Sequence, residues 1–470
     1  VGSYAGPVVA AMQGEGIAAT AKHFIGDGAT FRGIDQGDAR LSLEQLLVEH
    51  GEGYLKAIGA DVMTVMASFN SWQGEKLHGS YDLLTTVLKE GLGFQGFVVS
   101  DWNGIGQVAG CTNESCAQAI NAGIDMVMVP EDWQAFIANT VDQVNEGEIA
   151  LSRIDDAVRR ILRVKEQLGL LDAGAPSQRS QWVGSGVIGS DPHRALARQA
   201  VRESLVLLKN RAGLVPFSPR QRVLVAGLAD DIGVASGGWT ISWQGTGNSN
   251  ADFPNGSSIY AGIAEAVTAA GGTVELNVDG EYTARPDLAV VVFGEHPYAE
   301  GQGDVDNLQF DSASKQGLTV MRKLKADGIP VVGVFLSGRP MWLNAEINAA
   351  DALVAAWLPG SEGGGVADLL LRDTNDRVRY EFTGRLSFDW PNSDINISNS
   401  DLPVDDVLFP YGYGLAAGQA SSDRLNQLSE RASVAASATD VVIFERGSKA
   451  PWRPYLGDAS DWRKLYPGGI

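Results

Sequence analysis

The sequence predicts an α/β protein made of two parallel-sheet units, and three observations predict it. Short apolar runs alternate with helix-patterned stretches at roughly 30 residues per repeat, the spacing of a βα unit. The clearest runs, Val223-Leu224-Val225-Ala226-Gly227, Leu288 to Phe293 and Val331 to Leu336, are unbroken by polar residues. Glycine is abundant, 57 of 470 residues, and often stands where such a run ends.

Taken in order, residues 1–16 read as a surface helix and loop. Ile17 to Phe24 is a short strand ending in Lys22-His23-Phe24, and Gly26-Asp27-Gly28 marks the loop after it. Ser42 and Gln45 form a capping box for a helix reaching about Ile58. Asp61 to Phe69 is the next strand, Tyr81 to Glu90 the next helix, and Phe97 to Val99 the strand after that. A helix over Glu114 to Ala122, a strand at Met126 to Val129 and a helix over 133–145 follow. Ser152 and Asp155 are expected to cap a further helix with the apolar stripe Ile154, Val158, Ile161, Leu162 and Leu168. That makes about four strands before residue 172, half of the eight a closed barrel needs. The expectation is therefore residues 1–172 as part of a (β/α)8 TIM-type barrel or an open sheet, and 173–200 as a Gly-, Ser- and Pro-rich linker. Residues 201–416 are expected as an α/β sandwich with a parallel sheet. Its strands lie at 223–227, 274–276, 288–293, 331–336 and 353–357, with helices near 257–270 and 311–326. Residues 417–470 form a polar extension in which Val441 to Phe444 opens a further strand.

Composition narrows the function. Lys and Arg number 36 against 57 Asp and Glu, a formal charge of -21. That excess argues against nucleic acid and anionic membrane surfaces and suits an uncharged ligand. No apolar run reaches the length of a membrane span. The two cysteines, Cys111 and Cys116, read best as a small disulfide loop, which implies an oxidising compartment, extracellular or periplasmic; two free thiols are the other reading. The five histidines (His23, His50, His78, His193, His296) do not cluster near them, so no metal site is expected. Neither a G-x-G-x-x-G fingerprint nor a Walker motif follows Gly227 or Gly294. No cofactor is implied.

The stretch Phe97-Val98-Val99-Ser100-Asp101-Trp102 carries the chemistry. A buried strand delivers a carboxylate and a large ring to its own C-terminal end, where parallel α/β proteins place their active sites. Asp101 reads as a catalytic carboxylate and Trp102 as a surface for a sugar ring. Lys22 and His23 end another strand and are placed to hold Asp101 ionised while gripping hydroxyls.

These residues, with Gly238-Trp239-Thr240-Ile241, Trp243-Gln244-Gly245 and Gly294-Glu295-His296-Pro297-Tyr298-Ala299-Glu300, resemble glycoside hydrolase family 3, and within it the β-glucan exohydrolase and β-glucosidase branch. The resemblance runs in order from about residue 15 to about 415. It implies a (β/α)8 barrel followed by a six-stranded α/β sandwich, with the active site between them. The half-barrel that precedes the Lys-His-Phe strand in the family, and a sugar-binding Asp on it, have no counterpart here. The resemblance assigns Asp101 as nucleophile and favours Glu300 as acid/base. Glu295 and Glu362 are the alternatives, one better suited to support and the other to capping a helix. It matches Trp102 and Trp243 to a ring pair beyond the cleaved bond, with Trp239 close by, and Met66 and Met128 to the pocket lining. Gln36 and Gln107 replace a Glu and an Arg of plant relatives, and Phe69 replaces a Tyr. Asp27 stands where the N-acetylglucosaminidase branch has a His, which argues against that branch. The expected activity is a retaining, exo-acting β-glucosidase or β-glucan glucohydrolase acting on β-linked gluco-oligosaccharides. A β-xylosidase and a non-catalytic sugar-binding protein are the alternatives.

Overall fold

Helix α1 (Gly2–Gly14) leads into β1 (Thr20–Phe24), the first of three short strands that organise the N-terminal unit. The computed structural model describes residues 1–179, 183–310, 315–394 and 406–432, with two further residue pairs at 455–456 and 463–464. The Val441 to Phe444 strand expected from the sequence lies outside the described residues. After β1 come α2 (Leu43–His50) and α3 (Glu52–Ile58), β2 (Thr64–Ala67), a π-helical segment Asp82–Gly91, and β3 (Phe97–Val99). The Ser42–Gln45 capping box forms as the sequence implies. The single helix expected to reach Ile58 is instead two, broken at Gly51. The unit closes with α4 (Ala117–Ala122), α5 (Trp133–Asn145) and α6 (Leu151–Gln167).

The three strands form a parallel sheet in the order β1-β2-β3. Thr20 stands beside Thr64, Thr64 beside Phe97, and Met66 beside Val99. The C-terminal ends of all three strands therefore lie at one edge, and Phe24, Val65, Val98, Leu84 and Leu88 fill the core beneath. The strand expected at Met126 to Val129 reduces to one bridge, Val99 to Met126. Ser100 N–H bonds to Met126 O, but the next partner of this segment is a side chain, Ser100 Oγ, which accepts from Met128 N–H at 2.7 Å. A side chain thus takes the place of the next ladder rung. The caps expected from Ser152 and Asp155 also do not form: α6 starts at Leu151 without a side-chain cap. Its first turn is held by ion pairs instead, Arg153 reaching both Asp125 and Asp156. Val158 and Leu162, expected to face inward, are exposed, and Ala157 and Val164 are the buried positions of this helix.

Where a linker was expected, α7 (Asp191–Ser204) is a regular helix with Pro192 in its first turn. Arg198 and Arg202 from this helix both grip Asp368 of the second unit, at 2.7 and 2.9 Å. The Gly- and Ser-rich residues ahead of the helix hid these contacts, which are distant in sequence.

The second unit is a six-stranded sheet. Its elements are β4 (Val206–Asn210), β5 (Arg222–Gly227), α8 (Ile259–Ala269), β6 (Thr273–Leu276), β7 (Leu288–Gly294), α9 (Gln316–Ala326), β8 (Val331–Leu336), α10 (Asn344–Ala349), β9 (Ala352–Trp357) and α11 (Gly364–Leu370). The order is β4-β9-β8-β7-β5-β6, with β4 antiparallel and the rest parallel. Alternate residues of each strand feed opposite cores. Val290 and Val292 join one, Ala289, Val291 and Phe293 the other, the period-2 consequence of the pleat. The strand order reverses between β5 and β7. In an open parallel sheet the loops on either side of such a reversal part and leave a crevice at the carboxyl ends. Those two loops carry Trp239 and Trp243, and Glu300.

Candidate active site

Asp101 follows β3 directly, and its backbone is fixed before its side chain is considered. Its N–H donates to Nε2 of His78 at 2.9 Å. His78 is 1 % exposed, and Nε2 must be unprotonated to accept. Burial first, then the neighbouring Lys76 charge, pushes the His78 pKa down to about 4, which keeps the ring neutral. Gly104 makes room for this imidazole: a Cβ there would lie 2.4 Å from Nε2. On the carboxylate itself, Oδ1 accepts Trp102 N–H at 2.7 Å and Oδ2 lies 3.5 Å from His23 Nε2. His23 turns its other nitrogen to Asp27 Oδ2 at 2.8 Å. Asp27, singled out in the sequence only as a departure, thus orients the imidazole that faces Asp101. Neither His78 nor Ser100 was singled out as a site residue, because nothing local distinguishes a lone buried His from core.

Glu300 is reached from the other unit. The loop after β7 begins with Glu295, which Arg339 holds at 3.1 and 2.7 Å and to which Tyr298 and Ser337 also donate. With every oxygen occupied, Glu295 is an anchor. Glu362 likewise is buried against Arg194 at 2.8 Å. Glu300 is exposed, and both of its oxygens are taken by indoles: Trp239 Nε1 donates to Oε1 at 3.0 Å and Trp243 Nε1 to Oε2. Gln244 ties the two loops a second time, through Glu300 O at 3.2 Å and Ala299 N–H at 2.6 Å. Gly238 lets the backbones touch, since a Cβ there would lie 2.0 Å from Tyr298 O. A cavity of about 580 Å³ backs the Glu295 end of this loop, lined by the second unit alone.

Asp35 links the two halves. Burial pushes its carboxyl above the usual range, and the charges of Asp304, Glu300 and Asp27 push it further. Asp27, which bonds His23, and Glu300 therefore both act on one side chain. Trp102, Trp239 and Trp243 are 54, 69 and 48 % exposed, so none of the three is core. Lys22 is exposed, while Met66 and Met128 are half-buried near the ends of β2 and of the segment bonded to Ser100. The two departures Gln36 and Gln107 meet: Gln107 Nε2 donates to Gln36 Oε1 at 2.7 Å, a neutral amide pair. Cys111 and Cys116 are disulfide-bonded, closing the loop between Asp101 and α4. Among the described residues no helix is long and apolar enough to cross a membrane, and no group of His, Cys, Asp and Glu is arranged to hold a metal.

Residues 1–164 match the model of the glycosyl hydrolase family 3 N-terminal domain, and residues 205–417 that of the family 3 C-terminal domain. A lysosomal beta glucosidase of Dictyostelium discoideum is 32 % identical over 84 % of this chain and 51 % of its own length. A periplasmic beta-glucosidase of Salmonella typhimurium is 27 % identical over 87 % of this chain and 60 % of its own. The chain thus spans a little over half the length of these curated relatives. The crystal structure of an exo-1,3/1,4-beta-glucanase from a Pseudoalteromonas species superposes with a TM-score of 0.87 at 50 % identity, over 92 % of this chain and 55 % of that one. A point mutant of the same enzyme has the same score and identity, over 71 % of its chain. By sequence and by fold, this chain belongs to glycosyl hydrolase family 3.

Proposed function

We propose that the protein is a retaining, exo-acting β-glucosidase or exo-β-glucanase that releases glucose from β-linked gluco-oligosaccharides. The observation that carries this reading is that the loop bearing Glu300 reaches the unit that carries Asp101: Asp304 accepts the Asp35 N–H, and both Glu300 and Asp27, the partner of His23, act on Asp35. Asp101 is the nucleophile. His78 and Trp102 fix its geometry, and His23 faces the oxygen that attacks the anomeric carbon. Glu300 is the acid/base. It protonates the leaving oxygen and then activates the water that opens the glycosyl-enzyme. Trp102, Trp239 and Trp243 offer exposed indoles for the sugar's apolar face, Lys22 and His23 bind hydroxyls, and Met66 and Met128 line the pocket. The parallel β1-β2-β3 sheet is read as an arc of a (β/α)8 barrel, with residues 201–416 as the sandwich that supplies the acid/base. The disulfide and the periplasmic relative favour an extracellular or periplasmic setting.

Relatives named as β-xylosidases from Formosa agariphila, 26 and 25 % identical, keep a xylosidase as the second reading. Aryl β-glucoside against aryl β-xyloside decides the sugar. A 2-deoxy-2-fluoro-β-glucoside with a good leaving group should label the peptide bearing Asp101, and Asp101→Asn should abolish both label and turnover. A label elsewhere, or undiminished turnover in Asp101→Asn, would overturn the mechanism. Binding of oligoglucosides without any turnover would favour the sugar-binding alternative.

A further inference from the structure

The acid/base loop is fastened at its base but must reach across to the other unit, and one residue at its far end makes that reach. Glu295 and Ala299 tie the loop to the second unit through Arg339 and Gln244. The next residues form a tight turn of their own: Gln302 N–H bonds to Glu300 O at 2.9 Å, Gly303 N–H to Ala299 O at 3.0 Å and Asp304 N–H to Gly301 O at 3.2 Å. Asp304 ends this turn, and both of its carboxylate oxygens accept the main-chain N–H of Asp35 at 3.1 Å. Asp35 belongs to the N-terminal unit, and the two residues after it are fixed there. The carbonyl of Gln36 accepts from Lys76 Nζ at 3.1 Å, the Gln36 side chain accepts from Gln107, and Gly37 O accepts Ser71 N–H at 2.8 Å.

We propose that Asp304 is a positioning residue for the acid/base: by holding the Asp35 N–H it docks the Ala299–Asp304 turn, and so Glu300, onto the unit that carries Asp101. This rests on Glu300 acting as the acid/base. Charge is not what makes the contact. Asp304, Glu300 and Asp27 each push the Asp35 carboxyl up, so the carboxylate at 304 adds repulsion. What Asp304 supplies is an acceptor, aimed at a main-chain N–H across the boundary between the units. An amide at 304 keeps an acceptor oxygen and removes the repulsion, whereas a methyl group removes both.

The test compares the full chain with Asp304→Ala and Asp304→Asn on two aryl β-glucosides. Phenyl β-glucoside needs a proton on its leaving group, and 2,4-dinitrophenyl β-glucoside scarcely does. Asp304→Ala should lower kcat/KM for the phenyl substrate by about 100-fold, the scale of a misplaced catalytic group, and leave the dinitrophenyl substrate nearly unchanged. Asp304→Asn should track the parent on both. Peptide-level hydrogen exchange supplies an arm independent of turnover: Asp304→Ala should speed exchange over residues 31–37 and 299–304, and Asp304→Asn should not. Equal losses on both substrates, no loss on either, or unchanged exchange in Asp304→Ala would each overturn the proposal. If the parent cleaves neither glucoside, the glycosidase reading fails by itself, and the exchange arm still decides whether Asp304 docks the turn.

Discussion

The two units hold their carboxylates in opposite ways. Asp101 sits at the end of a strand in a sheet of only three strands, in a unit whose helices leave Val8, Val48, Ile137, Val141, Val158 and Leu162 exposed. Yet its backbone is locked from within, its N–H by a buried neutral histidine and its carbonyl by the hydroxyl of buried Ser100 at 3.0 Å. Glu300 belongs to the unit with the larger sheet and the fully covered core, and it is held entirely at the surface, by exposed indoles and a neighbouring loop. The less enclosed unit therefore has the more deeply set of the two carboxylates. In the proposed mechanism Asp101 must form a bond at one point in space, which suits a backbone built into the fold. The proposed acid/base, Glu300, must serve a leaving group and then a water, which suits a loop that the fold presents without enclosing.

That contrast can be broken at several points. The largest effect belongs to Glu300→Ala, which should cost about 10²–10⁴-fold in kcat/KM on substrates that need protonation. Azide should restore turnover of a dinitrophenyl glucoside, and the melting temperature should not move. A fall of several degrees would show that the loop is part of the fold rather than presented by it. Next comes Leu353→Ala in the second unit's core, a fully buried site, which should cost roughly 2–5 kcal/mol by denaturant unfolding.

Acid should act on the N-terminal unit. His78 titrates near 4 in the fold and near 6.5 in the unfolded chain. As pH falls from about 6.5 to 4 the unfolded chain takes up a proton that the folded chain refuses, so stability drops through that window by up to about 3 kcal/mol and then levels. At the opposite end of the scale both units contribute, since burial also pushes Lys89 of the N-terminal unit down to about 8. Burial holds Lys209 near 7, so its folded form is neutral where the unfolded chain is still charged, and stability should rise from pH 7 towards 10.5. Melts across pH with the first-released proteolytic fragments identified by mass would assign each window, and early loss of second-unit peptides at pH 5 would reverse the assignment. The smallest effect is Leu162→Ala, within about 0.5 kcal/mol as an exposed position. A loss as large as that of Leu353→Ala would mean that this face of α6 is covered in the working molecule.

Much of this was legible in the residues, for a physical reason. Phe97 to Val99 and Val331 to Leu336 could be placed to the residue because each is an apolar run bounded by polar residues, glycine or proline. The capping box at Ser42 is local and was readable as such. β4 was not, because its last residues are Lys209 and Asn210, polar side chains that are nonetheless fully buried. Lys209 donates to Ile347 O and Ala350 O at 2.7 Å, partners that only the folded chain brings near. The site divides the same way. Asp101 and Glu300 stand at strand ends or in motifs, whereas His78 and Asp304 have meaning only through what faces them. Glu295, set apart from Glu300 in the sequence, is held by Arg339, a partner 44 residues away that no local pattern announces.

The approach of Gly238 to the Tyr298 carbonyl has a consequence for anyone rebuilding this site. Residues 237–245 and 294–304 are not two loops that happen to be neighbours. They interlock at a point where no side chain fits, and Gln244, Trp239 and Trp243 hold the rest. The portable module is thus the pair. The Glu300 loop grafted alone onto another sheet would arrive without the partner that shapes it, and a diversification library that varied position 238 would mostly sample broken loops.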